Sequence, residues 1–148
     1  MKQLTIIQPE IGQPAAAAEA ALDLVVPFTD PALTRAAVAA ASRMGEGLRA
    51  TLRLIRVQVV PYPCDINQSP VPLSFLREQA RKFCSPLPMN AEVRLARELL
   101  SGLVTTLHAD SVVVLASKKR LWRTRTERMA AALRSAGYRT VLVYEGES

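Results

Sequence analysis

Residues 111–116 read Ser111-Val112-Val113-Val114-Leu115-Ala116, a run of four aliphatic side chains between small ones. A strand with one solvent-facing side alternates apolar and polar residues, whereas a strand covered on both faces is apolar throughout. Leu24-Val25-Val26, within a strand predicted at 22–28, has the same character. The two runs therefore predict central strands of a sheet that helices cover on both faces.

The rest of the chain alternates between strand and helix patterns. Asp30-Pro31 is typical of a helix start, and Gly45, Gly47 and Gly137 of helix ends. Further strands are predicted at 51–62, 91–95 and 140–144, and helices at 31–44, 73–83, 98–107 and 124–136. Such alternation predicts an α/β fold: a doubly wound, open parallel sheet of five strands with helices on both faces, Rossmann-like. The patterns leave the order of the strands open.

Length and composition fit one domain. The 148 residues can build a core without metal or disulfide support. We expect residues 1–20 to form an N-terminal arm or an extra edge strand, and 21–148 the domain itself. Because no stretch has the roughly 18–20 apolar residues of a membrane span and the first residues do not resemble a secretory signal, we expect a cytoplasmic protein. Cys64 and Cys84 are expected to be free buried thiols, with one disulfide as the alternative.

The positive charge is concentrated in one segment. The chain has 19 Lys and Arg against 13 Asp and Glu, a net charge of +6, and residues 117–128 contain six of the basic residues and one acidic residue. Thr124 and Glu127 have the spacing of a capping box, which predicts a helix start at Thr124. A helix N-terminus beside basic side chains favours an anion such as phosphate. The alternative is a solvated surface loop with a well-capped helix. Trp122 either packs beneath this loop or stacks on a base.

Sequence motifs for catalysis or metal binding are lacking. His108 is the only histidine and follows a predicted helix, where a structural role is expected. One histidine and two distant cysteines do not match a zinc site, so we expect no metal. The chain has neither a GxSxG elbow nor a P-loop, and its carboxylates Asp30, Asp65 and Asp110 are isolated. We therefore expect no enzyme and no catalytic residues.

The order of these elements resembles the universal stress protein family over about residues 21 to 146. The resemblance is carried by Leu24-Val25-Val26 with the Asp30-Pro31 helix, by Val57-Gln58-Val59-Val60-Pro61, by residues 110–117 and by Thr140-Val141-Leu142-Val143-Tyr144. Val60-Pro61-Tyr62-Pro63, Pro70-Val71-Pro72 and Arg120-Leu121-Trp122-Arg123 look most like the universal-stress-protein-like domains attached to some amino-acid permeases.

This resemblance implies the strand order 3-2-1-4-5, which places a ligand crevice between strands one and four. Nucleotide-binding members have an Asp after strand one and a glycine-rich loop after strand four. Here Phe28 replaces the Asp, the loop 116–124 has no glycine, and only Thr124 matches the final hydroxyl of the motif. The resulting candidate site for a nucleotide or another anion comprises Phe28, Thr29, Asp30, Ser117, Lys118, Lys119, Arg120, Arg123 and Thr124.

Two functions compete on this basis. The first is a non-catalytic, cytoplasmic stress-response regulator with a degenerate nucleotide site; the second is a binder of ATP, another adenine nucleotide or a small anion through the basic loop. No other cofactor is expected, nor a membrane partner, and few aromatic residues argue against nucleic acid. The family commonly forms homodimers through the last strand, here Val141, Leu142, Val143 and Tyr144; the alternative is an edge protected by Glu145 and Glu147 or by residues 4–7.

Overall fold

The computed structural model describes residues 22–62, 65–67, 71–84 and 89–145. The expectations for residues 1–20, for Glu147 and for the thiols of Cys64 and Cys84 lie outside the described residues and side chains. The elements are β1 (Leu22–Pro27), α1 (Pro31–Gly45), β2 (Ala50–Val59), α2 (Leu73–Cys84), β3 (Asn90–Ala96), α3 (Leu99–Val104), β4 (Val112–Lys118), α4 (Arg125–Ser135) and β5 (Arg139–Glu145).

The five strands form one parallel sheet in the order β3-β2-β1-β4-β5. This is the order implied by the family resemblance, and it confirms the predicted doubly wound α/β class. β1 and β4 are neighbours although α1, β2, α2, β3 and α3 separate them along the chain. The connections leave β1 and β4 toward opposite sides, so a crevice opens between their carboxyl ends.

The central strands are buried on both faces, as their apolar runs predicted. Leu24, Val25 and Val26 are fully inaccessible to solvent, as are Val113 and Val114. Alternate residues contribute to two separate clusters: Leu24 and Val26 pack with α1 and α2, and Val25 with α3 and α4. The continuous apolar sequence thus supplies two core layers at once.

The ends of the helices follow from local hydrogen bonds. The Asp30 carboxylate accepts from the Leu33 N–H at 2.8 Å, which confirms it as the cap of α1. Gly137 ends α4 with φ of 96°, a conformation that disfavours side chains with a Cβ. Helix α3 is shorter than the predicted 98–107, because Thr105 and Thr106 donate their hydroxyls back to carbonyls of the preceding turn, each at 2.7 Å.

Helix α3 lies unusually close to the sheet at Gly102. A Cβ built on Gly102 would lie 2.6 Å from the Ala96 Cβ and 2.8 Å from a Val57 methyl carbon. The absence of a side chain therefore permits the contact of α3 with β2 and β3. None of the described helices is long and apolar enough to cross a membrane.

Candidate functional site

A cleft of about 390 Å³ opens at the carboxyl ends of β1 and β4. Its volume lies within the range of small-molecule sites, roughly 300–1,000 Å³. The β1–α1 connection forms one wall, and the end of β4 with the start of α4 forms the other. The lining residues are Phe28, Thr29, Asp30, Leu33, Leu99, Ser117, Lys118, Arg120, Thr124, Arg125, Thr126 and Met129.

The charge of the lining is predominantly positive. Lys118, Arg120 and Arg125 are exposed at the mouth of the cleft. Asp30 is its one carboxylate, and that carboxylate already accepts the Leu33 N–H as the cap of α1. The arrangement favours an anionic ligand, which long basic side chains can reach from the rim.

The hydroxyl of Ser117, near the end of β4, and that of Thr124, the cap of α4, hydrogen-bond to each other. Ser117, fully buried, has its Oγ 2.6 Å from the Thr124 Oγ1. Thr124 Oγ1 also accepts from the Glu127 N–H at 3.1 Å, and the Glu127 Oε1 accepts from the Thr124 N–H at 2.7 Å. The predicted capping box is therefore present. The one residue that matches the family's phosphate motif, Thr124, already uses its hydroxyl to hold α4 in place.

Glu127 is held in its charged form by these contacts. The Thr124 N–H and then the Tyr144 hydroxyl, which donates to Glu127 Oε2 at 2.8 Å, lower the pKa of Glu127 below its usual value. Burial opposes this shift and is outweighed. The carboxylate thus links the start of α4 to the end of β5.

The first turn of α4 retains polar groups without partners. The N–H groups of Arg125 and Thr126 have no hydrogen-bond acceptor among the described residues, since the capping box satisfies only Thr124 and Glu127. The Thr126 side chain lines the same cleft, is only 5% exposed, and its hydroxyl also lacks a partner within the described part of the chain. These two N–H groups and the hydroxyl could donate hydrogen bonds to an anion in the cleft.

Phe28 places an aromatic ring where the resemblance implies a carboxylate. Its ring packs edge-on against Phe83 at 5.1 Å, and the Arg56 guanidinium lies 4.5 Å from its centroid. Arg35 lies over the Phe83 ring at 4.9 Å. Residue 28, directly after β1, therefore offers an apolar, arginine-flanked ring rather than a carboxylate.

Seven of the nine candidate residues line this cleft, and two do not. Lys119 and Arg123 lie on the outer surface of the β4–α4 loop, with Leu121 and Trp122. Trp122 is 81% exposed, so the alternative that it packs beneath the loop is wrong. Whether these residues bind a ligand stays a prediction.

Sequence reasoning missed five lining residues. Arg125 and Thr126 lie within the basic segment and at the start of a predicted helix, and this position was the signal that could have found them. Leu33, Leu99 and Met129 resemble core residues, because their helices turn the same apolar faces toward the sheet and the cleft.

A buried polar network, also missed, lies at the amino ends of the strands. Asp23 of β1, Arg53 of β2 and Ser111, directly before β4, form its centre. The signal available was a single Asp next to Leu24-Val25-Val26. Among the described residues, no three His, Cys, Asp or Glu side chains form a group that could hold a metal ion.

The order of strands, the crossovers and the cleft between β1 and β4 define an α/β protein of the Rossmann-like class with a crevice at its switch point. Among solved structures, the chain is similar to the universal stress protein UspA from Lactobacillus plantarum, with a TM-score of 0.53 over 84% of this chain and 99% of that one, at 12% identity. No protein-family model matches the chain, and no curated protein matches it. The fold is therefore UspA-like, as the family resemblance implied; the finer likeness to permease-attached domains stays a prediction.

Proposed function

We propose that this chain is a universal-stress-protein-like regulatory protein, without catalytic activity, that acts in the cytoplasm as a homodimer with a degenerate nucleotide site. The observation that carries the proposal is the hydrogen bond of 2.6 Å between Ser117 and Thr124. It joins the hydroxyl of Ser117, near the end of β4, to that of Thr124, the cap of α4. A ligand would have to compete with this contact to bind either hydroxyl.

The backbone of the same loop supports the degenerate site. Backbone N–H groups that surround a phosphate usually need glycine, because a Cβ prevents close approach. Residues 116–124 contain no glycine, and Lys118 to Arg123 carry large side chains throughout. On the opposite wall, Phe28 stands at the position where nucleotide-binding universal stress proteins have an Asp. Both changes weaken an ordinary ATP site.

The lining of the cleft supports a role without catalysis. Asp30 is its one carboxylate and is engaged as a helix cap, and the lining contains no histidine or cysteine. A general acid or base needs a titratable side chain within reach of the substrate. Binding and conformational signalling are the functions that this set of side chains fits.

The second candidate function is binding of a small anion or an adenine nucleotide in another mode. It is favoured by the unpartnered Thr126 hydroxyl beside the open N–H groups of Arg125 and Thr126. Lys118 and Arg120 bring positive charge to the same place. Side chains and the helix N-terminus would then hold the anion in place of a glycine-rich loop.

Isothermal titration with ATP, ADP, AMP, cyclic AMP and inorganic phosphate separates the two functions. The degenerate-site proposal predicts no micromolar binding of any of them. Micromolar binding that is lost in Lys118→Ala/Arg120→Ala and kept in Arg77→Ala/Lys82→Ala, a matched pair of exposed basic residues on α2, would contradict it and establish the second function. Thr126→Val should weaken that binding as well if the helix N-terminus holds the anion.

A further inference from the structure

Two large apolar side chains project together from the β4–α4 loop. Leu121 is 91% exposed and Trp122 is 81% exposed. The other exposed large apolar residues of the described chain are Leu48, Val59, Tyr62 and Phe75, and each of these is less exposed than Leu121 and Trp122. We call Leu121 and Trp122 the apolar tip. Adjacent apolar side chains this exposed are costly in water and mark a contact surface.

Basic residues flank the apolar tip along the chain. Lys119, Arg120 and Arg123 share the outer surface of the loop with it, and Lys118, Arg125 and Arg128 lie further along the chain on either side, all exposed. The one carboxylate of this segment, Glu127, is engaged by the Thr124 N–H and the Tyr144 hydroxyl. Elsewhere in the chain the charges nearly balance, with 13 basic and 12 acidic residues. The segment that carries the apolar tip therefore has a concentrated positive potential.

We propose that the apolar tip docks on an anionic phospholipid bilayer. Leu121 and Trp122 would enter the headgroup region, where tryptophan is favoured because its ring is apolar and its N–H finds acceptors. The surrounding Lys and Arg side chains would pair with lipid phosphates, and an apolar insertion together with a basic cluster supplies the two signals that stable surface binding needs.

The composition of the tip favours lipid over nucleic acid. Proteins that bind single strands present several aromatic faces on which successive bases stack. Here one aromatic residue stands beside a leucine, which cannot stack on a base but can enter a bilayer. The expectation of no membrane partner was based on the lack of a spanning segment, and surface docking requires none.

Trp122 is the only tryptophan of the chain, so its fluorescence reports directly on the tip. Vesicles of phosphatidylcholine and phosphatidylglycerol in equal amounts should shift its emission to shorter wavelength, and vesicles of phosphatidylcholine alone should not. Sodium chloride should reverse the shift, because it screens the lipid charge. An emission unchanged by the anionic vesicles at low salt would overturn the proposal.

Substitutions in the basic loop test which residues make the contact with the vesicles. Leu121→Ser and, separately, Lys119→Glu/Arg123→Glu should each lower the affinity for anionic vesicles in co-sedimentation, the double variant by at least about tenfold. Phe75→Ser and Arg77→Glu/Lys82→Glu, matched changes on the exposed face of α2, should leave it unchanged. Equal binding by all variants would overturn the proposal, and so would an emission shift produced by single-stranded RNA but not by the vesicles. Because the altered residues are exposed, circular dichroism should show the same fold for every variant.

Discussion

Arg53 of β2 holds the carboxylate of Asp23 of β1 with two hydrogen bonds, Nε to Oδ1 at 3.0 Å and Nη2 to Oδ2 at 2.8 Å. Both side chains are nearly buried, 13% and 12% exposed. Ser111 donates to the same carboxylate at 2.6 Å, and Arg53 also donates to the Thr106 carbonyl at 2.9 Å. This network joins β1, β2 and the start of β4 at the end of the sheet opposite the cleft.

Asp23→Asn should destabilise the protein, because it leaves the nearly buried Arg53 guanidinium with only Glu92, 3.3 Å away and 31% exposed, as a counter-charge. We expect the free energy of unfolding, measured in urea, to fall by about 2 kcal/mol, since the bonds between Arg53 and residue 23 lose their ionic partner. Arg81→Ala is the matched control, since the Arg81–Glu78 pair is exposed, 66% and 62%. That change should cost no more than about 0.5 kcal/mol. Equal losses in the two variants would show that the buried pair has no special weight.

The stability should fall in acid through Asp23. Burial alone would raise the pKa of Asp23, but the hydrogen bonds from Arg53 and Ser111 outweigh it and hold this pKa below its usual value of 3.8. Since the native pKa lies below the unfolded one, the ionised carboxylate contributes stability that is complete above pH 3.8 and is lost as the pH falls through the native pKa.

Ser111→Ala tests this linkage. It removes one donor to the carboxylate, so the pKa of Asp23 should rise toward 3.8 and the loss of stability between pH 7 and about pH 3 should become smaller. Urea unfolding at both pH values measures the difference. Ser101→Ala, which removes an exposed hydroxyl on α3, should keep the wild-type loss. A wild-type pH dependence in Ser111→Ala would contradict the assignment.

Gly102→Ala should force α3 away from the sheet. The added methyl group would lie 2.6 Å from the Ala96 Cβ, well inside van der Waals contact. We expect a loss of about 1–3 kcal/mol in the free energy of unfolding, although alanine favours helix more than glycine does. A gain in stability would mean that α3 is free to shift outward.

Thr124, the cap of α4, and Thr126, in the first turn of α4, should respond in opposite directions to replacement by valine. Thr124→Val removes the cap and the bond to Ser117, so stability should fall by about 1 kcal/mol. Thr126→Val removes a buried hydroxyl without a partner in the described chain, so stability should rise by about 1 kcal/mol. Thermal unfolding of both variants without ligand measures this. A loss in Thr126→Val would show that its hydroxyl is satisfied.

Homodimer formation through β5 should be visible by light scattering. β5 is an outer strand of the described sheet, and Val141, Leu142, Val143 and Tyr144 are each partly buried along it. Pairing with a second copy would satisfy the backbone groups of this edge. The wild type should have the mass of a dimer and Val143→Lys that of a monomer, with circular dichroism showing both folded. A monomeric wild type would refute edge pairing.

Local patterns were sufficient for the elements and their class. The apolar runs around Val25 and Val113, the Asp30 cap and the Thr124–Glu127 capping box each depend on residues within one turn or one strand. Such signals need no distant partner, so they could be interpreted from the chain alone. The strand order came only through a family resemblance, because hydrophobic periodicity is the same for every arrangement of buried strands.

The amino-acid sequence by itself determined the α/β class, the helix caps and the concentration of charge in residues 117–128. Only the tertiary structure decided which of those charges face the cleft, that Ser117 and Thr124 satisfy one another, that Asp23 pairs with Arg53, and that Leu121 and Trp122 project into solvent. The physical reason is the distance along the chain over which each property is set. Caps and periodicity are set within a few residues, whereas burial, ion pairing and exposure depend on where strands and loops far apart in the chain come to lie.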